Sequence, residues 1–308
     1  MYYRSLNSYV KDTFGEKLYK LSLSGAVTCP NRDGTLGTGG CIFCSAGGSG
    51  EFAGDGSDSV REQISKAKKR VASKFHGTGY IAYYQAFTNT YGDVRKLEQM
   101  YMETIQMPDV RVLSIATRPD CLGDDVMTML AGLVRVKPVW VELGLQTIHE
   151  DTAAYIRRGY PLSVFEQAVQ KLRAIGIDVI VHLILGLPGE DEERILQSVD
   201  YISGLDVQGV KLQLLHVLSG TDLATVYQAG AFDVMSLERY TKLLGHAVEH
   251  LRSDIVIHRL TGDGDKRLLI APQWSADKKH VLNTINQYFQ QHDIVQGRYW
   301  NPDMRHDA

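Results

Sequence analysis

Three things are scarce in this chain of 308 residues. Long apolar runs are missing. The longest, Val179 to Pro188, is interrupted by His182 and falls far short of the ~20 residues a membrane-spanning helix needs. No membrane partner is expected. The first residues, Met1 to Asn7, lack the apolar core of a secretory signal, so a cytoplasmic location is expected. Charge of one sign is also missing: 33 basic against 36 acidic residues leave a net charge of −3. That excludes a global pull toward nucleic acid or anionic lipid, although a local basic patch would suffice for RNA. Cysteine is rare, with four in the chain, which excludes a disulfide scaffold. At 44% hydrophobic residues the chain is not disordered either, and at this length it can bury a large core.

What is abundant is local. Nine of the 23 residues from Gly34 to Gly56 are glycine, and such a run forms no regular element. It reads as a long functional loop, about 25–56. Around it runs a regular rhythm. Strand-like segments begin at Leu18, Tyr80, Val110, Val139, Val179 and Val210, and helical sequence follows each from the second onward. They are rich in β-branched and apolar residues, as parallel strands buried on both faces are. The expected fold is α/β: a partial (β/α)6 TIM-like barrel over 1–234 that includes the glycine-rich loop. A small C-terminal α/β extension, 235–308, is expected to pack on the barrel. Its elements read as a helix, strands at Ile255–Arg259 and Leu268–Ala271, and a helix at Lys278–Gln291. In such barrels the site lies at the C-terminal ends of the strands.

Three of the four cysteines, Cys29, Cys41 and Cys44, lie in the loop after the first strand. Soft thiolates in a reducing compartment suit an iron–sulfur cluster or zinc. A structural zinc site wants four protein ligands. Here Cys121 is far along the chain and the nearest following histidine is His76. Three ligands on a four-iron cluster leave one iron open. A zinc knuckle of three cysteines and one histidine, or thiols without metal, is the alternative. The glycines before Cys41 lack the strand-to-helix setting of a dinucleotide loop.

Cys41-Ile42-Phe43-Cys44, preceded by Thr28-Cys29-Pro30-Asn31-Arg32-Asp33-Gly34, resembles the cluster motif of the radical S-adenosylmethionine (radical SAM) superfamily. The eleven-residue gap after Cys29 resembles the Elp3-like and YhcC/YtqA-type (MnmL-like) branch. The likeness continues through Gln85 to Tyr91, Thr117 to Asp120, Glu142 to Gln146 and Leu185 to Gly189. The resemblance implies a 4Fe-4S cluster held by Cys29, Cys41 and Cys44, with S-adenosylmethionine bound at its open iron. It implies that Phe43 lies near the adenine. Gln85, Thr88 and Asn89 take the place of the family's usual motif for the methionine amine. Gln146 faces the ribose, Arg158 the methionine carboxylate, and His182 stands where an aspartate is common. Read without the resemblance, Gln146 is a helix cap, Arg158 a helix-end cation and His182 a core histidine. Asp120, Lys211 and His216 are candidates to face substrate, Lys211 being equally readable as a surface lysine.

The resemblance implies a tRNA substrate: conversion of a carboxymethylaminomethyl group on a wobble uridine to aminomethyl. It also implies an external one-electron donor of the flavodoxin or ferredoxin type and a downstream methyltransferase. Lys66, Lys68, Lys69, Arg70 and Lys74, and the mixed Arg298, Tyr299, Trp300 and Arg305, could grip RNA. They read equally as a solvated helix face and a packed tail. A small-molecule or protein substrate, or a non-catalytic zinc-binding barrel, are the rival readings.

Overall fold

The structure is a computed structural model and describes residues 2–48, 50–262 and 264–301. Six strands follow the expected rhythm: β1 (Leu18–Leu23), β2 (Gly79–Tyr84), β3 (Val110–Thr117), β4 (Val139–Gln146), β5 (Asp178–Leu185) and β6 (Gly209–Leu214). A two-residue strand, β7 (Val217–Leu218), precedes the C-terminal segment, which holds β8 (Val256–Arg259) and β9 (Leu269–Ala271). β1 to β6 and β8 form one parallel sheet in that order, curled as a partial barrel. The count is one strand more than six units. The extension therefore packs on the barrel by completing its edge, with Gly209 paired to Val256 and Lys211 to Arg259. β9 pairs antiparallel with β7.

Helices α2 (Val60–Val71), α3 (Val94–Gln106), α4 (Asp124–Val134), α5 (Glu150–Tyr155), α6 (Leu162–Ala174) and α7 (Glu192–Ser203) fill the crossovers. α8 (Asp222–Gln228), α9 (Leu237–His250) and α10 (Lys278–Gln291) follow. Their starts are set by side-chain caps: a Ser59/Glu62 capping box for α2, Asp93 for α3, Asp191 for α7 and Ser236 for α9. One helix was not foreseen, α1 (Leu6–Phe14), capped by Ser5.

The strands alternate more than their composition suggests. Outward residues such as Leu21, Ile115, Val141, Leu143, Val181 and Leu212 join the helices in the main core. Inward residues stack in layers. Leu18, Ile81, Val112, Trp140 and Ile180 form an apolar floor, and α1 closes it from below with Val10. Two residues further along each strand the layer is polar: Lys20, Tyr83, Ser114, Glu142 and His182, joined by Lys211 of β6. Two further on, Gln85, Ala116, Gly144, Ile184 and Gln213 open onto a cavity at the C-terminal mouth. No helix among the described residues is long and apolar enough to cross a membrane.

Candidate functional site

The cavity, about 250 Å³, is bounded on one side by the barrel mouth and on the other by the glycine-rich loop. That loop holds neither helix nor strand between β1 and α2. Buried and semi-buried polar contacts shape it instead. Arg32 Nη2 donates to the carbonyls of Cys44 (2.8 Å) and Ser45 (2.6 Å). Asn31 Nδ2 donates to the Arg157 carbonyl at 2.7 Å, and the Gly40 amide donates back to the Asn31 carbonyl at 2.8 Å. Two glycines are required by geometry. Gly40 has φ +72°, and a Cβ there would come within 2.9 Å of Arg32 Nε. Gly48 has φ +60°, and a Cβ would lie 2.4 Å from the Phe87 ring.

Cys29, Cys41 and Cys44 all line the cavity. Burial pushes the Cys41 thiol up to about 12, and the charges of Cys44 and Cys29 add to that against Arg118 and Asn31. The three sulfurs therefore share one electrostatic environment. Yet among the described residues no group of three or more His, Cys, Asp or Glu is arranged to hold a metal ion. A single zinc needs its ligands converging on one point, whereas a multi-iron cluster spreads them over a larger body. Three soft thiols on one cavity are a donor set that suits an iron–sulfur cluster.

Most of the expected cofactor and substrate residues reach this cavity: Phe43, Gln85, Thr88, Gln146, Arg158, His182, Lys211 and His216. Gln146 ends β4 at φ +65°, a strained conformation for a side chain. Its amide folds over Gly144, where a Cβ would lie 2.5 Å from Gln146 Nε2. Two residues stand elsewhere. Asn89 is fully buried, and its Nδ2 stitches the carbonyls of Tyr84, Ala86 and Ala116 together. Asp120 forms a bidentate pair with Arg118 (2.9 and 2.6 Å) and faces a separate groove beside Cys121.

Arg158 lines the cavity but is 1% exposed, and its five donors are already engaged. Nε meets the Tyr160 carbonyl, Nη1 the Leu145 and Thr147 carbonyls, and Nη2 both oxygens of Glu150. It braces the turn after β4, and in this conformation its only carboxylate partner among the described residues is Glu150. Arg118 and Arg158 each sit 5.0 Å from the Tyr160 ring centroid, on a wall that sequence reading overlooked.

The polar layer forms the cavity floor. Glu142 is completely buried and accepts from Lys20 (2.9 Å), Ser114 (2.7 Å), His182 (2.7 Å) and Lys211. Burial opposes its charge, but the two ammoniums and His182 hold it well below the usual carboxylate range. Burial and the Lys211 charge push His182 down to about 4, against Glu142, so its ring is neutral near pH 7. Burial also drives Lys211 well below the ordinary lysine range. Lys211 is 2% exposed, so it is not a surface lysine. Lys20, Tyr83 and Ser114 carried no local motif. Their signal was the two-residue offset from the apolar floor along each strand.

The basic patches are partly neutralised. Lys66 pairs with Asp58 at 2.7 Å and Lys68 pairs with Asp109, while Lys69, Arg70 and Lys74 are exposed. Arg298 pairs with Glu249 and Asp293. Arg305 lies outside the described residues.

A family model for the radical SAM superfamily matches residues 29–202, and one for a radical SAM C-terminal domain matches 207–291. The chain is 43% identical to the uncharacterized protein YtqA of Bacillus subtilis, over 97% of this chain and 92% of that one. It is 34% identical to protein YhcC of Escherichia coli, over 94% of each. A more distant likeness, 24% identity over 59% of this chain and 33% of the other, is to a tRNA uridine(34) acetyltransferase of Methanocaldococcus jannaschii. Among solved structures, the Elp3 of Methanocaldococcus infernus matches with a TM-score of 0.69 at 15% identity. That match covers 91% of this chain and 64% of that one, and it supports the fold alone.

Proposed function

This chain belongs to the radical SAM superfamily, whose cofactors are a 4Fe-4S cluster and S-adenosylmethionine, and from that premise we propose that it modifies the 5-substituent of a wobble uridine in tRNA. The cofactors, when bound, supply reductive cleavage of S-adenosylmethionine to methionine and a 5′-deoxyadenosyl radical that abstracts hydrogen from substrate. Cys29, Cys41 and Cys44 are the cluster ligands on this reading. Arg32 and Asn31 hold the loop that presents them. Phe43, Gln85, Thr88 and Gln146 form the wall for the adenosyl and methionine portions. Arg158 acts as a brace beneath Gln146 rather than as a carboxylate partner. The apolar floor and α1 close the barrel's other end and exclude water.

The observation that carries the chemistry is the convergence of three thiols on one cavity at the C-terminal mouth of a parallel barrel. The tRNA substrate is supported by the likeness to a tRNA uridine(34) acetyltransferase and by the exposed Lys69, Arg70 and Lys74. The step is conversion of carboxymethylaminomethyl to aminomethyl: the carbon beside nitrogen would lose hydrogen and one further electron to become an imine, with S-adenosylmethionine as the net two-electron oxidant, and water would cleave that imine to the amine and a two-carbon aldehyde acid. The abstracted hydrogen sits on carbon beside nitrogen, where the resulting radical is stabilised. A flavodoxin- or ferredoxin-type donor supplies the electron, and a separate methyltransferase acts on the amine. We assign the chemistry to 1–234 and an edge-completing role to 235–308.

The test is anaerobic reconstitution, reduction and measurement of 5′-deoxyadenosine, with and without tRNA from a strain lacking this gene. A tRNA-stimulated yield matched by a mass change in the wobble nucleoside is the expected result. Cleavage indifferent to tRNA discards the substrate and keeps the chemistry. No cleavage from a preparation with an intact cluster overturns both.

A further inference from the structure

The floor of the cavity holds more positive charge than it uses. Lys20 and Lys211 both donate to Glu142, and among the described residues neither ammonium pairs with any other carboxylate. His182, pressed against the same carboxylate, is neutral. Glu142 itself is saturated, since Ser114 and His182 take its remaining acceptor positions. Two ammoniums therefore face one carboxylate, with Lys211 and Glu142 buried, Lys20 partly exposed, and the Arg259 guanidinium also on the cavity lining. Their six N–H donors make three hydrogen bonds among the described residues: two to Glu142 and one, at 3.0 Å, from Lys211 to the Tyr83 hydroxyl. Both ammoniums also lie 4.4 Å from the Tyr83 ring centroid, which spreads their charge but supplies no anion.

A surplus cation in such a place is costly, and it is relieved by losing a proton or by gaining an anion. Lys211 lines the cavity, with Tyr83, Glu142 and His182 beside it. An anion entering from the mouth meets Lys211 first. The apolar floor of Leu18, Ile81 and Trp140 lies below, so the subsite is shallow and closed. One surplus charge and a few donors match a carboxylate. A phosphodiester carries a sugar on each side and does not fit a closed floor, so backbone phosphates belong at the rim.

We propose that Lys211, with Lys20 behind it and Tyr83 between them, is the subsite that recognises a carboxylate on the group brought into the cavity. Resting on the tRNA reading above, this makes Lys211 a specificity-determining residue. It selects a wobble substituent that ends in a carboxylate over a neutral one. Glu142 is the positioning residue that holds both lysines.

The test uses the full chain loaded with cluster and S-adenosylmethionine but without reductant, so that nothing turns over. Binding is measured for two anticodon stem-loop RNAs that differ only at the wobble substituent, one a carboxymethylaminomethyl acid and the other its carboxamide. The wild-type protein is expected to bind the acid about 10- to 100-fold tighter, the scale of a charge-assisted hydrogen bond. Lys211→Met brings that ratio to near 1. Glu142→Gln enlarges the surplus and keeps or raises the ratio, which loss of structure alone would not do. If Lys211→Met does not fold, Lys211→Gln, which removes the charge and keeps a polar end, takes its place with the same expected ratio. Equal binding of the two RNAs by the wild type overturns the subsite and leaves the tRNA reading standing. An unchanged ratio in the folded Lys211 variant overturns the assignment to Lys211. Failure of both RNAs to bind overturns the tRNA reading and the subsite with it.

Discussion

The loop that carries the three cysteines and the barrel it covers are built on opposite principles. The loop has no helix or strand between β1 and α2 and is shaped by single contacts, such as Arg32 on the Cys44 and Ser45 carbonyls. The barrel interior is laid down by repetition: one residue from each of five successive strands falls in the apolar floor, the residue two further along falls in the polar layer, and a sixth strand adds Lys211 to that layer. A loop of this kind contributes chemistry at little cost to the fold. A buried polar layer couples chemistry to stability, because each charge there depends on its partners.

The sharpest way to separate the two regions is Cys41→Ala. It is expected to reduce S-adenosylmethionine cleavage to background while changing unfolding free energy by less than about 1 kcal/mol. Urea unfolding run beside a 5′-deoxyadenosine assay checks both halves, and retained cleavage would sink the cluster assignment. Glu142→Ala does the reverse. It strands the buried Lys211 ammonium and the partly exposed Lys20, and is expected to destabilise the fold by about 3–5 kcal/mol. A urea midpoint close to wild type would mean that the layer is not coupled to stability.

The pH dependence sharpens the contrast further. His182 is held down to about 4 from an ordinary 6.5, so the fold favours its neutral ring. Its contribution is complete above pH 6.5 and is lost as pH falls from 6.5 towards 4, because the unfolded chain takes the proton first. The loss should reach about 3 kcal/mol, and Glu142, also held low, adds to it at more acid pH. Unfolding at pH 7.5 and at pH 4.5 reads it, and His182→Gln should flatten that difference.

The smallest effect belongs to the join between loop and barrel. Gln146→Gly relieves a φ of +65° and is expected to stabilise the fold by a few tenths to about 1 kcal/mol. It should also weaken S-adenosylmethionine binding, measured by calorimetry. A gain in Tm with unchanged affinity would remove Gln146 from the cofactor wall.

These contrasts explain what could be read in advance. Helix α4 and helix α10 occupy the spans their sequence suggests, the first bracketed by Gly123 and Pro138 and the second started by the Asp277 cap. The cysteine loop was legible for the same reason: its chemistry lies in a short local spacing. Arg158 and Lys211 were not. A guanidinium beside Gly159 and Tyr160 looks like a helix-end cation until Leu145, Thr147 and Glu150 close around it. A single lysine in Val210-Lys211-Leu212 looks exposed until Glu142, from a strand 69 residues earlier, lies against it.

By itself, then, the sequence determined the βα rhythm, the loop and its three thiols, since periodicity, glycine content and spacing act over a few residues. Only the tertiary structure decided that the inner face of the strands is polar at one level, that β8 joins the barrel sheet beside β6, and that Arg158 braces the turn after β4. Curling the sheet brings one side chain from each strand to a common axis. Which charges then meet depends on the stagger of strands far apart in the chain, which no local pattern records.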